Sequence, residues 1–96
     1  MKIHSFQVTR QNITDGVRCE SKLCPVALAL KAHYGKRYAE IEVLADRVYL
    51  FKNNGRTYAA FKPPLELANY IRNYDAGKRV VPRIFRVDTE LEDGII

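Results

Sequence analysis

Cys24-Pro25-Val26-Ala27-Leu28-Ala29-Leu30 places a thiol at the mouth of an apolar helix. Proline at the first helical position gives up no useful N–H and pre-sets φ. The free N–H groups of a helix start suit an anion or a thiolate, and the helix dipole works to depress a thiol pKa there. The loop before it carries Arg18, Ser21 and Lys22, which with those N–H groups form a cradle for phosphate. No glycine-rich phosphate fingerprint accompanies it. The plain alternative is a solvated polar loop that caps the helix.

The remaining chemistry-bearing residues are sparse. His4 and His33 are the only histidines, and Cys19 and Cys24 the only cysteines. His33 lies about 13 Å along the helix from Cys24 at 1.5 Å per residue, too far for a Cys–His dyad within it. Four residues between the cysteines is the edge of the zinc half-site range, and no histidine completes a known spacing, so no metal is expected. The pairing of the two thiols stays open. The carboxylates form no catalytic pair: Glu40 and Glu42 share an exposed strand face, and Asp75 fits a local helix-end turn. An enzyme is therefore not expected, and no cofactor is implied.

Basic and aromatic side chains offer a second kind of site. Lys78, Arg79, Arg83 and Arg86 cluster near the C-terminus, and Arg79 and Arg83 are candidates to join Lys36 and Arg37 in one surface. Tyr49 and Tyr58 sit beside Arg47 and Arg56 on neighbouring strands, a platform on which bases can stack. The competing reading is that tyrosines finish a small core with the hydroxyl outward.

These residues need elements to hold them. Ile3–Val8 reads as a strand with Phe6 and Val8 on one face. Thr9 caps a short helix over residues 10–15, which Gly16 ends in a left-handed conformation. The Cys24 helix runs to Tyr34 and stops at Gly35. Residues 40–44 alternate as a half-exposed strand, and Ala45-Asp46 turns into a strand over 47–51. Asn53-Asn54-Gly55 is a hairpin signal, with its partner strand over 56–61. Pro63-Pro64 opens a helix over 65–75 with Leu67, Ile71 and Tyr74 on its core stripe, stopped near Gly77. A last strand covers 80–88, with Pro82 marking an edge or bulge. The order β-α-α-β-β-β-α-β predicts a single α+β domain over 1–96: a mainly antiparallel sheet of about four or five strands on two main helices.

The chain has 96 residues, 47% hydrophobic, with a net charge of +5. That suits one globular domain with a modest core. Asp88, Glu90, Glu92 and Asp93 fall in the last nine residues, which hold no Lys or Arg. Residues 1–87 thus carry all 16 basic groups and 7 of the 11 acidic ones, a net of +9. A body that basic attracts polyanions at low salt. The sequence leaves open whether residues 89–96 fray as an acidic tail or fold back over it. No apolar run has the length of a signal peptide or membrane span, so a cytoplasmic protein with reduced thiols is expected, without a membrane partner.

The Cys-Pro-Val-Ala-Leu-Ala-Leu segment, Ile71-x-x-Tyr74-Asp75-x-Gly77 and Val81-Pro82…Phe85 resemble a group of small proteins encoded by phages and bacteria. That group combines a Cys-Pro-[Ile/Val]-Ala-Leu-Ala-Leu helix with a helix ending in Phe-Asp-x-Gly. This chain departs in having Tyr74 at the Phe position and in its basic body. The resemblance spans nearly the whole chain and implies a phage-type accessory protein, but no activity and no site residues. The expected function is non-enzymatic binding of an anionic ligand, nucleic acid or a signalling nucleotide, with counteraction of a host system as one use. Arg18, Ser21, Lys22 and Cys24 would hold phosphate, Arg79 and Arg83 would assist, and Tyr49 and Tyr58 would stack. The alternative is a protein–protein inhibitor or assembly module acting on a host protein through an edge strand or basic surface, as a monomer or homodimer.

Overall fold

Alternating apolar residues build two antiparallel sheets that share one core. The computed structural model describes residues 3–88 and 91–96. The elements are β1 (Ile3–Val8), α1 (Arg10–Asp15), α2 (Pro25–Tyr34), a 3-10 turn (Gly35–Arg37), β2 (Tyr38–Val43), β3 (Val48–Lys52), β4 (Thr57–Phe61), α3 (Leu65–Asp75), β5 (Arg83–Asp88) and β6 (Glu92–Ile95). The predicted α+β order is the observed one up to β5. The strands divide, however, into a ribbon of β1 and β5 and a four-stranded sheet in the order β2-β3-β4-β6. In the ribbon Phe6 faces Phe85, and their rings stack at 5.7 Å. Phe6, Val8, Phe85 and Val87 point inward and are buried, as are Ile41, Val43, Val48, Leu50, Ala59 and Phe61 from the larger sheet.

Helix α2 fills the space these faces leave. It packs against β1, β2 and α1, and Pro25, Val26, Ala27, Ala29, Leu30 and Tyr34 are all buried. It ends where predicted, because Gly35 takes φ 59° and ψ −128°, a conformation open mainly to glycine. Helix α3 shows the expected stripe: Leu67, Ala68, Tyr70 and Ile71 are buried and Tyr74 is half-buried. The Tyr70 hydroxyl donates to the Val81 carbonyl at 2.7 Å and its ring meets Phe85 edge-on at 5.1 Å. That satisfies the one polar atom this residue brings into the core.

The short helix α1 is held at both ends. Thr9 caps it as expected: its Oγ1 accepts from the Asn12 N–H at 3.1 Å, and Asn12 Oδ1 accepts from the Thr9 N–H at 2.9 Å. Gly16 corrects the expectation of a left-handed stop. Its φ is −67° and ψ 151°, ordinary extended backbone. Glycine is needed there for space. A Cβ would lie 2.7 Å from Pro25 Cδ, 2.8 Å from Pro25 Cγ and 2.9 Å from the Asn12 carbonyl oxygen. A rigid ring and a backbone atom leave no easy way to relax.

The C-terminal segment is structured. Residues 89 and 90 lie outside the described residues, but Glu92–Ile95 pairs with β4, with Ala60 opposite Glu92 and Tyr58 opposite Gly94. Arg47 reaches Glu92 Oε2 at 3.3 Å and Lys52 reaches Asp93 Oδ1 at 3.2 Å. The Ile96 N–H donates to the Arg56 carbonyl at 2.8 Å. The Tyr58 ring lies directly over Gly94, where any side chain would collide with it. Aromatic cover of a strand glycine restores the packing that the missing side chain forfeits.

Gly16→Ala is expected to lower stability by about 1–3 kcal/mol, the usual range for overpacking a tight site. Denaturant titration will show a lower midpoint, with the far-ultraviolet circular dichroism of the native state preserved.

Candidate functional site

The start of α2 is sealed by its own sequence. Cys24 is the N-cap residue, 4% exposed, and its Sγ accepts from the Ala27 N–H at 3.5 Å. Pro25 brings no N–H, and Val26 and Ala27 are also buried. The Cys24 N–H itself donates to the Glu20 carbonyl at 2.9 Å. Burial pushes the Cys24 thiol above its ordinary 9.0, and this outweighs the opposing hydrogen bonds from the Ala27 and Val26 N–H groups. The expectation of a dipole-activated thiolate is thereby corrected: desolvation beats the dipole, and Cys24 is a neutral, capping thiol.

The loop that was to form a phosphate cradle spends its groups elsewhere. Lys22 Nζ pairs with Glu40 Oε1 on β2 at 3.0 Å. The Ser21 carbonyl accepts from the Val43 N–H at 2.8 Å, extending β2 on its outer edge. The Arg18 guanidinium lies over Gly77, 3.4 Å from where a Cβ would stand, beyond the end of α3. Arg18, Ser21, Lys22 and Cys24 therefore do not converge on an open helix terminus.

What pins this loop is a residue the sequence offered only as a local turn. Asp75 Oδ1 accepts from the Cys19 N–H at 3.0 Å, and the Asp75 carbonyl accepts from Cys19 Sγ at 3.6 Å. Cys19 is exposed and takes φ 60°, the left-handed region that a non-glycine residue enters only when its surroundings hold it there. Cys19, Ser21, Cys24 and Asp75 line one small cavity of about 220 Å³. No local pattern announces a contact across 56 residues.

The tyrosine platform does assemble. Tyr49 and Tyr58 meet edge to face at 5.4 Å, and Phe51 stands 6.1 Å from each. All three are half-buried, and their alternation with Val48, Leu50 and Ala59 puts them on the outer face of the larger sheet. The same face carries Glu42 opposite Tyr49 and Glu92 opposite Ala60. Arg47 pairs with Glu92, and Glu42 adds a further carboxylate beside the ledge.

The basic cluster at the other sheet is less neutralised. Lys78, Arg79, Arg83 and Arg86 are all exposed. Arg83 lies 5.1 Å over the Phe85 ring and donates to Glu66 Oε2 at 2.8 Å. The other three make no ion pair among the described residues. Val81 and Ile84, between them in sequence, are 62% and 63% exposed. Strand β5 pairs only with β1 among the described residues, so its second edge holds no strand. Lys36 and Arg37 belong elsewhere. Asn53 Nδ2 donates to both of their carbonyls, at 3.0 and 3.2 Å, which seats them on the β3–β4 hairpin.

Comparison of the chain with family models, with curated proteins and with solved structures gives no match. No helix among the described residues is long and apolar enough to cross a membrane.

Iodoacetamide is expected to modify Cys19 in the native protein and to spare Cys24 until the protein unfolds, read by mass spectrometry of the peptides. Asp75→Ala, which releases the loop over Cys24, will speed the second modification. Because the folded-state pKa of Cys24 is raised, its stabilising contribution is complete below pH 9.0 and is lost as the pH climbs above that value.

Proposed function

We propose that this protein is a non-enzymatic binding module that takes an acidic, extended polypeptide along the free edge of β5. The observation that carries the reading is a combination along one segment: a strand edge with no partner strand among the described residues, the exposed branched apolar side chains Ile84 on β5 and Val81 just before it, and the exposed cations Lys78 and Arg79 before the strand and Arg86 on it. Charged residues alone commonly protect an edge from stray pairing. Two large apolar residues exposed on the same segment work against protection and suit a partner strand, whose main chain supplies affinity and whose side chains supply specificity. Complementary charge speeds encounter and rejects basic partners. The sealed α2 terminus and the neutral Cys24 supply neither a nucleophile nor an open anion site, which is why the reading is a binding one. An accessory protein of phage type, acting on a host protein, fits the same surface.

A second reading is favoured by one observation, the Tyr49–Phe51–Tyr58 ledge. Stacking on such a ledge is sequence-tolerant and suits single-stranded nucleic acid. Glu92 and Asp93 sit on Arg47 and Lys52 beside it, so this reading requires displacement of those contacts.

Fluorescence anisotropy separates the two. A labelled alternating Glu-Val peptide is expected to bind saturably, and Arg79→Ala with Arg86→Ala to weaken it roughly threefold to tenfold, as two rim charges do. Unchanged affinity in the double variant refutes the edge assignment. Oligothymidylate binding that persists at physiological salt, tightens with Glu92→Gln and falls with Tyr58→Ala would establish the second reading instead.

A further inference from the structure

A third feature of the molecule is a cavity beside the start of α3. It holds about 640 Å³, between the β2–β3 turn, the Pro63-Pro64 entry to α3 and the end of β5. That volume is in the range of small-molecule sites. Its apolar lining comes from Pro63, Ala68 and Val87, all buried, with Leu65 on the lining and 72% exposed. An exposed leucine at the start of a helix gains nothing for the fold by standing in water. Lys62 and Arg72 line the same space with exposed side chains, and neither makes an ion pair or a hydrogen bond among the described residues. Asp46 is the one carboxylate on the lining among the described residues. The cavity thus offers two cations, one anion and an apolar wall.

We infer that this cavity binds a small amphiphilic carboxylate, with the headgroup on Arg72 and Lys62 and the hydrocarbon body against Leu65, Ala68 and Val87. Guanidinium groups match carboxylates in plane and take them by two parallel hydrogen bonds, whereas an ammonium acts as a point charge. The apolar wall supplies most of the affinity through burial, and the cations supply the choice of headgroup. The Asp46 carboxylate opposes a ligand of higher negative charge, so a monoanion fits better than a dianion such as inorganic phosphate. Val87 is the one β5 residue on this lining among the described residues, and the lining includes none of Lys78, Arg79, Val81, Ile84 and Arg86 and none of the tyrosine ledge.

Titration of the full chain with hexanoate, followed by amide chemical shifts, tests the inference, with hexanol and inorganic phosphate as separate arms. Hexanoate is expected to give saturable shifts at Ala45, Asp46, Leu65, Ala68 and Val87, and each control to bind at least several-fold more weakly there. Arg72→Gln should weaken hexanoate about tenfold, the scale of one lost charge-assisted contact. Asp46→Asn should tighten it, a change of opposite sign that mere damage to the fold does not produce. Arg79→Ala with Arg86→Ala should leave it unchanged, which keeps this result separate from that of the edge. Equal binding of hexanoate and phosphate, shifts that do not saturate, or an Arg72→Gln protein that binds as before would each overturn the assignment.

Discussion

A helix that is apolar on nearly every side has to be covered on nearly every side. Helix α2 is such a helix, with six of its ten residues buried around its circumference and only Lys31, Ala32 and His33 fully exposed. One sheet face covers one stripe of a helix, not its circumference. Helix α2 instead packs against β1, β2 and α1 at once. That demand accounts for the division of the strands into a ribbon and a four-stranded sheet. It also accounts for Gly16, which must let α1 and its exit approach the Pro25 ring closely.

The same burial decides the chemistry of Cys24. A thiol at a helix start is activated when it is open to solvent and near a cation. Here the helix start is inside the core, the thiol serves as the cap, and its proton is held by desolvation. The loop that covers it is pinned from the far end of α3 by Asp75, and this tertiary contact holds Cys19 in its left-handed conformation. The cysteines are thus two parts of one closure: one a cap inside it, the other a residue of its lid.

Charge is distributed with a similar division of labour. The basic body and the acidic C-terminal segment are adjacent in space, because β6 adds to β4 and sets Glu92 and Asp93 against Arg47 and Lys52. Exposed pairs of this kind add little to stability. Their larger effect is on the surface potential, since each neutralises one cation of the basic body. The exposed cations Lys78, Arg79 and Arg86 fall beside two exposed apolar residues, Val81 and Ile84.

Local patterns in the sequence carried the elements well. The alternation of β2, the one-faced Phe6 and Val8 of β1, the Asn53-Asn54-Gly55 hairpin between β3 and β4, the stripe of α3, the stops at Gly35 and Gly77 and the Thr9 cap all follow from contacts within a few residues, which is what such patterns encode. The proximity of Tyr49 and Tyr58 was legible too, because a hairpin fixes its own register. The candidate site was far less legible. Arg18, Lys22 and Cys24 are neighbours in sequence, yet Lys22 turns to Glu40, Arg18 to Gly77 and Cys24 inward, each drawn by a partner distant along the chain. Gly16 was readable as a stop but not as a spacer, since only packing reveals the Pro25 ring. The C-terminal strand is short, acidic and glycine-containing, and its local propensity for a strand is low; Tyr58 and the β4 edge give it a place. What this sequence determined by itself is the set of elements and their order, because those rest on short-range periodicity and capping. Which charges are neutralised, which thiol is buried and which edge is left bare were decided only by the tertiary structure, because each depends on a contact between residues that no local pattern links.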